Sequence, residues 1–301
     1  MPTLVVILGP TGVGKTEESL RLAHQYGCPI VSADSRQIYR DLPIGTAAPT
    51  AEEQQMVRHY FIGCKALTET YSAGQYARDC REVLSQLFQE HEHVVMVGGS
   101  MMYVDAVCYG LDDIPDVPDA VRESVRNAYH CHGLEWLQAE VERLDPAYWA
   151  EVDRQNPQRL MHCIEICRVS GQPYSSFRRK QTKQEPSGVK RGFDIQPVMI
   201  SRPREELYER INLRVDKMIQ MGLIDEAKRA FDILGVPLTS LPQENATEVL
   251  PNSVNTVGYK ELLRYFRGEW SLDRAVEMIK QNSRHYAKRQ MTWWRNKQIT
   301  I

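Results

Sequence analysis

Four short runs of Val, Ile and Leu stand out along the chain, each bounded by turn residues and none alternating with polar positions: Leu4–Leu8, Pro29–Ala33, Val94–Val97 and Pro197–Ile200. Strands buried on both faces of a parallel sheet have this pattern. Between the runs the spacing turns helical, over about Gln75 to Glu90 and again from Met101. Strand, helix, strand, helix in that order predicts an α/β fold with a doubly wound parallel sheet.

From about Asp116 to Leu160 the pattern is helical, broken at Gly133 and Pro146, and no strand-like run follows until Pro197. This predicts a mainly helical insertion domain over residues 116–190, with residues 1–115 and 191–301 forming the core and its C-terminal helices. The polar segment Gln181 to Gly192, with Pro186 and Gly188, reads as a loop or hairpin. Beyond Arg202, the positions Leu207, Ile211, Val215 and Met218 recur at i, i+4, i+8 and i+11, the core-facing stripe of another helix.

Composition narrows the class. A chain of 301 residues with 42% hydrophobic residues, 25% charged residues and a net charge of −2 is neither disordered, fibrous nor a wholly basic nucleic-acid binder. Charge is nevertheless uneven along it. Asp105, Asp112, Asp113, Asp116 and Asp119 share a stretch without Lys or Arg. Two basic stretches stand against it, Arg178, Arg179, Lys180, Lys183, Lys190 and Arg191, and then Lys280, Arg284, Lys288, Arg289, Arg295 and Lys297. Seven cysteines without a CxxC pair predict reduced thiols. No stretch approaches the ~20 apolar residues of a membrane span, and the Leu4–Leu8 run lacks the flanks of a signal peptide, so the expectation is a cytoplasmic protein without a membrane partner.

Directly after the first predicted strand, Gly9, Pro10, Thr11, Gly12, Val13, Gly14, Lys15 and Thr16 spell the pattern G-x-x-x-x-G-K-[ST] and open a helix. Context and spacing match the P-loop, in which backbone N–H groups cradle phosphate oxygens, Lys15 adds a point charge and the Thr16 hydroxyl can ligate Mg²⁺. Such a loop holds any diphosphate or triphosphate, ATP included, so a kinase, a GTPase and a diphosphate-releasing transferase all fit. The missing N-K-x-D motif counts against a GTPase.

The second predicted strand ends at Asp34, and another ends in Gly98-Gly99-Ser100 before a helix. Open α/β sheets bind their ligands at such carboxyl ends. Taken with the P-loop, Asp34-Ser35-Arg36-Gln37-Ile38-Tyr39, Ile44-Gly45-Thr46-Ala47, Tyr71-Ser72-Ala73, Gly98-Gly99-Ser100 with Tyr103, Asn156 to Leu160, Val257-Gly258-Tyr259 and Lys288 to Arg295 run in one order along the whole chain. In these segments the chain resembles the tRNA dimethylallyltransferases, also called tRNA isopentenyltransferases.

The resemblance implies a P-loop NTPase-like core and a defined reaction. A dimethylallyl group would pass from dimethylallyl diphosphate to N6 of adenosine 37, in tRNAs reading codons that begin with U, with Mg²⁺ as cofactor and release of diphosphate. The alternatives are an adenylate isopentenyltransferase and a small-molecule P-loop kinase. The resemblance assigns catalysis to Asp34, Ser100 and Arg122, and tRNA contact to these three with Ser35, Arg36, Gln37, Gln158, Arg159, Leu160, Met161 and His162. Asp34 is the expected general base, because the delocalised lone pair of N6 makes it a poor nucleophile. Ser100 stands where Thr is commoner in the family and His162 where Arg is commoner. The expected partner is the anticodon arm of tRNA, bound by a monomer, with the basic stretches on its phosphates. Trp293 and Trp294 are candidates for stacking on bases or for anchoring a helix in the core.

Overall fold

The computed structural model describes residues 1–110, 114–178, 192–239 and 250–296. Asp112, Asp113, Lys297, the Gln181–Gly192 loop up to residue 191 and the first basic stretch beyond Arg178 lie outside the described residues.

Five parallel strands form one sheet in the order β3-β2-β4-β1-β5, from β1 (Thr3–Leu8), β2 (Ile30–Ser32), β3 (His59–Tyr60), β4 (His93–Val97) and β5 (Asp194–Met199). The sheet is the α/β core expected. Leu4, Val5, Ile7, Ile30, Val31, Val94, Val95 and Met96 are fully buried, as strands covered on both faces require. Two strands differ from the pattern. At the sheet edge β5 is only partly covered and alternates with exposure, so it begins at Asp194, before the apolar run; Pro197 is accommodated there because an edge strand has a free side. At the other edge, β3 has two half-buried residues and gives too short a run to read.

Helices follow the strands: α1 (Lys15–Tyr26), α2 (Ala51–Met56), α3 (Ala73–Leu87) and α4 (Met101–Cys108), then α5 (Asp119–Leu144), α6 (Pro146–Trp149) and α7 (Pro157–Ser170). After β5 come α8 (Arg204–Gln220), α9 (Leu223–Ile233), α10 (Tyr259–Phe266) and α11 (Leu272–Asn296). Ser72 starts α3 with a capping box, its hydroxyl taking the Gln75 N–H while the Gln75 side chain returns to the Ser72 N–H. Leu207, Ile211, Val215 and Met218 are buried, as their spacing predicts.

The chain divides into two compact units, one of Met1–Tyr109, Gly188–Leu241 and Val249–Ile301, the other of Gly110–Ser187 and Pro242–Glu248. Within the described residues the second unit is helical, with a core of Val125, Leu137, Val141, Leu160, Cys163 and Ile164 among others. Gly133 breaks α5 with a positive φ of 72°, and Pro146 starts α6 beneath an Asp145 cap.

Candidate active site

The loops that leave β1, β2 and β4 sit at one end of the sheet, because all three strands are parallel. They carry the P-loop, Asp34 and Gly98-Gly99-Ser100. Gly12 and Gly14 adopt φ of 84° and 107°, a region costly for any residue with a Cβ. Lys15 Nζ donates to the carbonyls of Gly9 and Pro10, both at 2.9 Å. Burial, helped by the Arg214 charge and opposed by Asp34, pulls the Lys15 pKa down to about 8.

Helix α8 supports the P-loop. Val13 packs on Leu207, Ile211 and Ala287, with Ile200 and Met291 alongside. Arg202 Nε donates to the Val13 carbonyl at 2.8 Å, Arg210 Nε to the Gly12 carbonyl at 3.0 Å, and an Arg214 terminal nitrogen to the Thr11 hydroxyl at 2.8 Å. Arg214 Nε is buried without a hydrogen-bond partner among the described residues. Burial lowers the Arg214 pKa, and Asp34 raises it. Arg214 therefore belongs to the same electrostatic cluster as Lys15 and Asp34. Sequence reasoning missed it, because the periodicity of α8 marks its core stripe and says nothing of arginines on the flank.

Asp34 follows β2 in a short turn. Its Oδ1 accepts from the N–H of Arg36 at 2.9 Å and of Gln37 at 3.4 Å, while Oδ2 lies toward Gly99, where a Cβ would come within 3.1 Å of it. Glycine at 99 thus keeps the space over that oxygen clear. Gly98 has no alternative either, since a Cβ there would overlap the Ala33 backbone. Ser100 Oγ accepts from the Ser35 N–H at 2.8 Å and bonds the Ser35 hydroxyl at 2.9 Å. The missing methyl of threonine is therefore offset by two hydrogen bonds that fix the Ser100 hydroxyl and tie the β4 turn to the β2 turn.

Gln37, placed on the tRNA side by resemblance, donates to the Thr46 and Ala47 carbonyls at 3.2 and 3.0 Å and accepts from Ser32 Oγ at 3.2 Å. Arg36 reaches Asn252 at 3.2 Å. The loop that Gln37 holds is clamped from beneath by Glu226. This buried carboxylate takes the N–H groups of Ile44 and Gly45 at 2.8 Å each and the Tyr259 hydroxyl at 2.7 Å. Two separated sequence segments, Ile44 to Ala47 and Val257 to Tyr259, thus meet at one carboxylate. Glu226 lies in neither segment, and one carboxylate on an amphipathic helix gives no sequence signal.

The remaining expected residues belong to the second unit. Arg122 on α5 donates through Nε to the Val117 carbonyl at 3.3 Å. It also faces Glu165 of α7, whose pKa burial raises and the Arg122 and Arg126 charges lower. Gln158, Arg159 and His162 are exposed on α7. Leu160 and Met161 point into the apolar core, with 0% and 7% exposure, which leaves their side chains unavailable to a nucleic acid. Trp294 is likewise buried, so of the readings for the tryptophan pair the helix anchor holds at this position. In the C-terminal basic stretch Lys280 pairs with Asp216 at 2.8 Å and Arg284 with Asn212 at 2.6 Å, while Lys288 and Arg289 stay exposed.

A family model described as IPP transferase matches residues 37–297. The chain is 50% identical over 301 residues to tRNA dimethylallyltransferase 2 of Parabacteroides distasonis, covering 100% of this chain and 94% of that protein. It is 50% identical over 295 residues to tRNA dimethylallyltransferase 1 of Bacteroides thetaiotaomicron, covering 98% and 89%. Among solved structures, the full-length tRNA isopentenylpyrophosphate transferase of Bacillus halodurans is 32% identical with a TM-score of 0.66, covering 98% of this chain and 88% of that one. A eukaryotic dimethylallyltransferase acting on tRNA shares the fold at 22% identity, with a TM-score of 0.75 over 98% of this chain and 70% of that one. Relatives at half identity span the P-loop and Asp34 as well as everything the family model covers, and on that footing this chain belongs to the IPP transferase family.

Proposed function

We propose that the protein is a tRNA dimethylallyltransferase, moving a dimethylallyl group from dimethylallyl diphosphate to N6 of adenosine 37 in tRNAs that read codons beginning with U. The observation that carries this reading is the convergence of a P-loop cradle, for a diphosphate, with the Asp34 carboxylate, whose charge acts on Lys15 and whose Oδ2 lies against Gly99. Membership of the family favours it over transfer to a free nucleotide and over phosphoryl transfer.

In this reading the C1–O bond to diphosphate breaks as the N6–C1 bond forms, and the N6 proton passes to Asp34 Oδ2. Arg36 and Gln37 N–H groups keep Oδ1 occupied and so orient Asp34 for that transfer. The loop amides, Lys15 and Arg214 stabilise the charge that builds on the departing diphosphate. Thr16, in the first turn of α1, offers a hydroxyl oxygen, a hard donor that fits Mg²⁺. A Mg²⁺ held there would supply positive charge to the leaving diphosphate. Ser100 braces the Asp34 turn through Ser35, and the resemblance makes its hydroxyl the candidate proton donor to the bridging oxygen. Arg122, Gln158, Arg159 and His162 contact the tRNA, together with the Asp34–Gln37 turn.

We place the reaction in the cytoplasm and in a monomer. Seven free thiols support a reducing compartment, and no helix among the described residues is long and apolar enough to cross a membrane. Labelled dimethylallyl diphosphate offered with tRNA, or with free AMP, tests the function. Label recovered as N6-dimethylallyladenosine at position 37 is the expected outcome; label on AMP alone overturns it.

A further inference from the structure

Gln290 is completely buried on α11, and its side-chain amide spans two loops far apart in the chain. Its Oε1 accepts from the Thr11 N–H at 2.8 Å, and its Nε2 donates to the Gly99 carbonyl at 2.9 Å. Only one orientation of the amide meets both, because one partner is a donor and the other an acceptor. The Tyr286 hydroxyl, one turn earlier on α11, donates to the same Gly99 carbonyl at 2.8 Å. Thr11 belongs to the phosphate cradle, while Gly99 lies against Asp34 Oδ2.

We infer that Gln290 is a positioning residue that sets the spacing between the diphosphate cradle and the carboxylate side of the site. Neither the cradle's Lys15 nor Asp34 is among its hydrogen-bond partners. Its amide fixes the P-loop backbone relative to the β4 turn, and through Ser100 and Ser35 that turn is tied to the Asp34 turn. The two reactants are held by different loops, so their separation depends on what joins the loops. Misplacement by about 1 Å is enough to cost on the order of 100-fold in rate without weakening either binding event.

The inference rests on the transfer reaction proposed above, but its test separates the two. Gln290→Met keeps length and burial and removes both hydrogen bonds. With dimethylallyl diphosphate and tRNA each varied, the expected result is a kcat lowered by about 10- to 100-fold with both KM values within about threefold of wild type. Amide exchange at Thr11, followed in the enzyme alone, is expected to lose its protection in the same variant, a readout that needs no turnover. An unchanged kcat with only a lower melting temperature would make Gln290 a structural residue and overturn the inference. So would a raised KM with kcat preserved, or Thr11 exchange equal to wild type. Absence of transfer by the wild-type enzyme sinks the proposed function instead, and the exchange result still decides whether the amide ties Thr11.

Discussion

Lys15 and Asp34 belong to one electrostatic cluster yet answer to different experiments. Below about pH 8 the buried ammonium of Lys15 carries its proton; above it the free enzyme has lost that charge, and a diphosphate must draw the proton back to bind tightly. Affinity for inorganic diphosphate is therefore expected to fall as pH rises from 7 to 9, with net proton uptake on binding in the upper part of that window. Calorimetry in two buffers of different ionisation enthalpy measures both, and in Lys15→Ala the part of the pH dependence beyond the titration of the diphosphate itself should be lost along with most of the affinity. Asp34→Asn keeps the shape of the side chain but not the base. It is expected to lower kcat by about 10²- to 10⁴-fold and leave the KM for dimethylallyl diphosphate nearly unchanged in steady-state assays. A proportionate rise in KM would assign Asp34 to substrate binding. Both residues were legible in the sequence, because a P-loop and a carboxylate at the end of a buried strand are local patterns.

Elements that seat those loops were less legible. The stripe on α8 predicts its burial correctly, but the contacts to the P-loop come from residues off the stripe, Arg210 and Arg214 on the helix and Arg202 just before it, whose partners are more than 180 residues away. No window of sequence contains both ends of such a contact. Arg214→Met is expected to weaken binding of inorganic diphosphate while leaving tRNA affinity unaffected, measured by calorimetry and filter binding. The Glu226 clamp has the same character. A Cβ on Gly45 would overlap the Tyr259 ring, so Gly45→Ala must displace either the loop or the ring. Overpacking of this kind costs about 1–3 kcal/mol, and a lowered melting temperature is the expected sign. Edge strands are less legible for a related reason: β3 and β5 are covered on fewer sides, and burial is what writes the apolar run into a strand.

For the whole molecule, a net charge of −2 is a poor guide to a tRNA enzyme. Part of the basic C-terminal stretch is internally engaged, at Lys280 and Arg284, leaving a smaller exposed set around Lys288 and Arg289. Each phosphate neutralised contributes about 0.7 to 0.9 to the slope of log affinity against log salt. Binding of tRNA is expected to weaken steeply with potassium chloride, and Lys288→Ala combined with Arg289→Ala to flatten the slope by about 1 to 2 in filter-binding titrations. The same wild-type slope in the double variant would place the tRNA elsewhere. The Thr11–Gln290 hydrogen bond joins residues 279 positions apart, so the loop that carries the clearest motif in the sequence is synthesised long before the residue that fastens it. A nascent chain, or a transcript cut short by a premature stop, displays the complete nucleotide-binding signature long before it has a working site. Searching genomes for that signature would therefore count such fragments as enzymes.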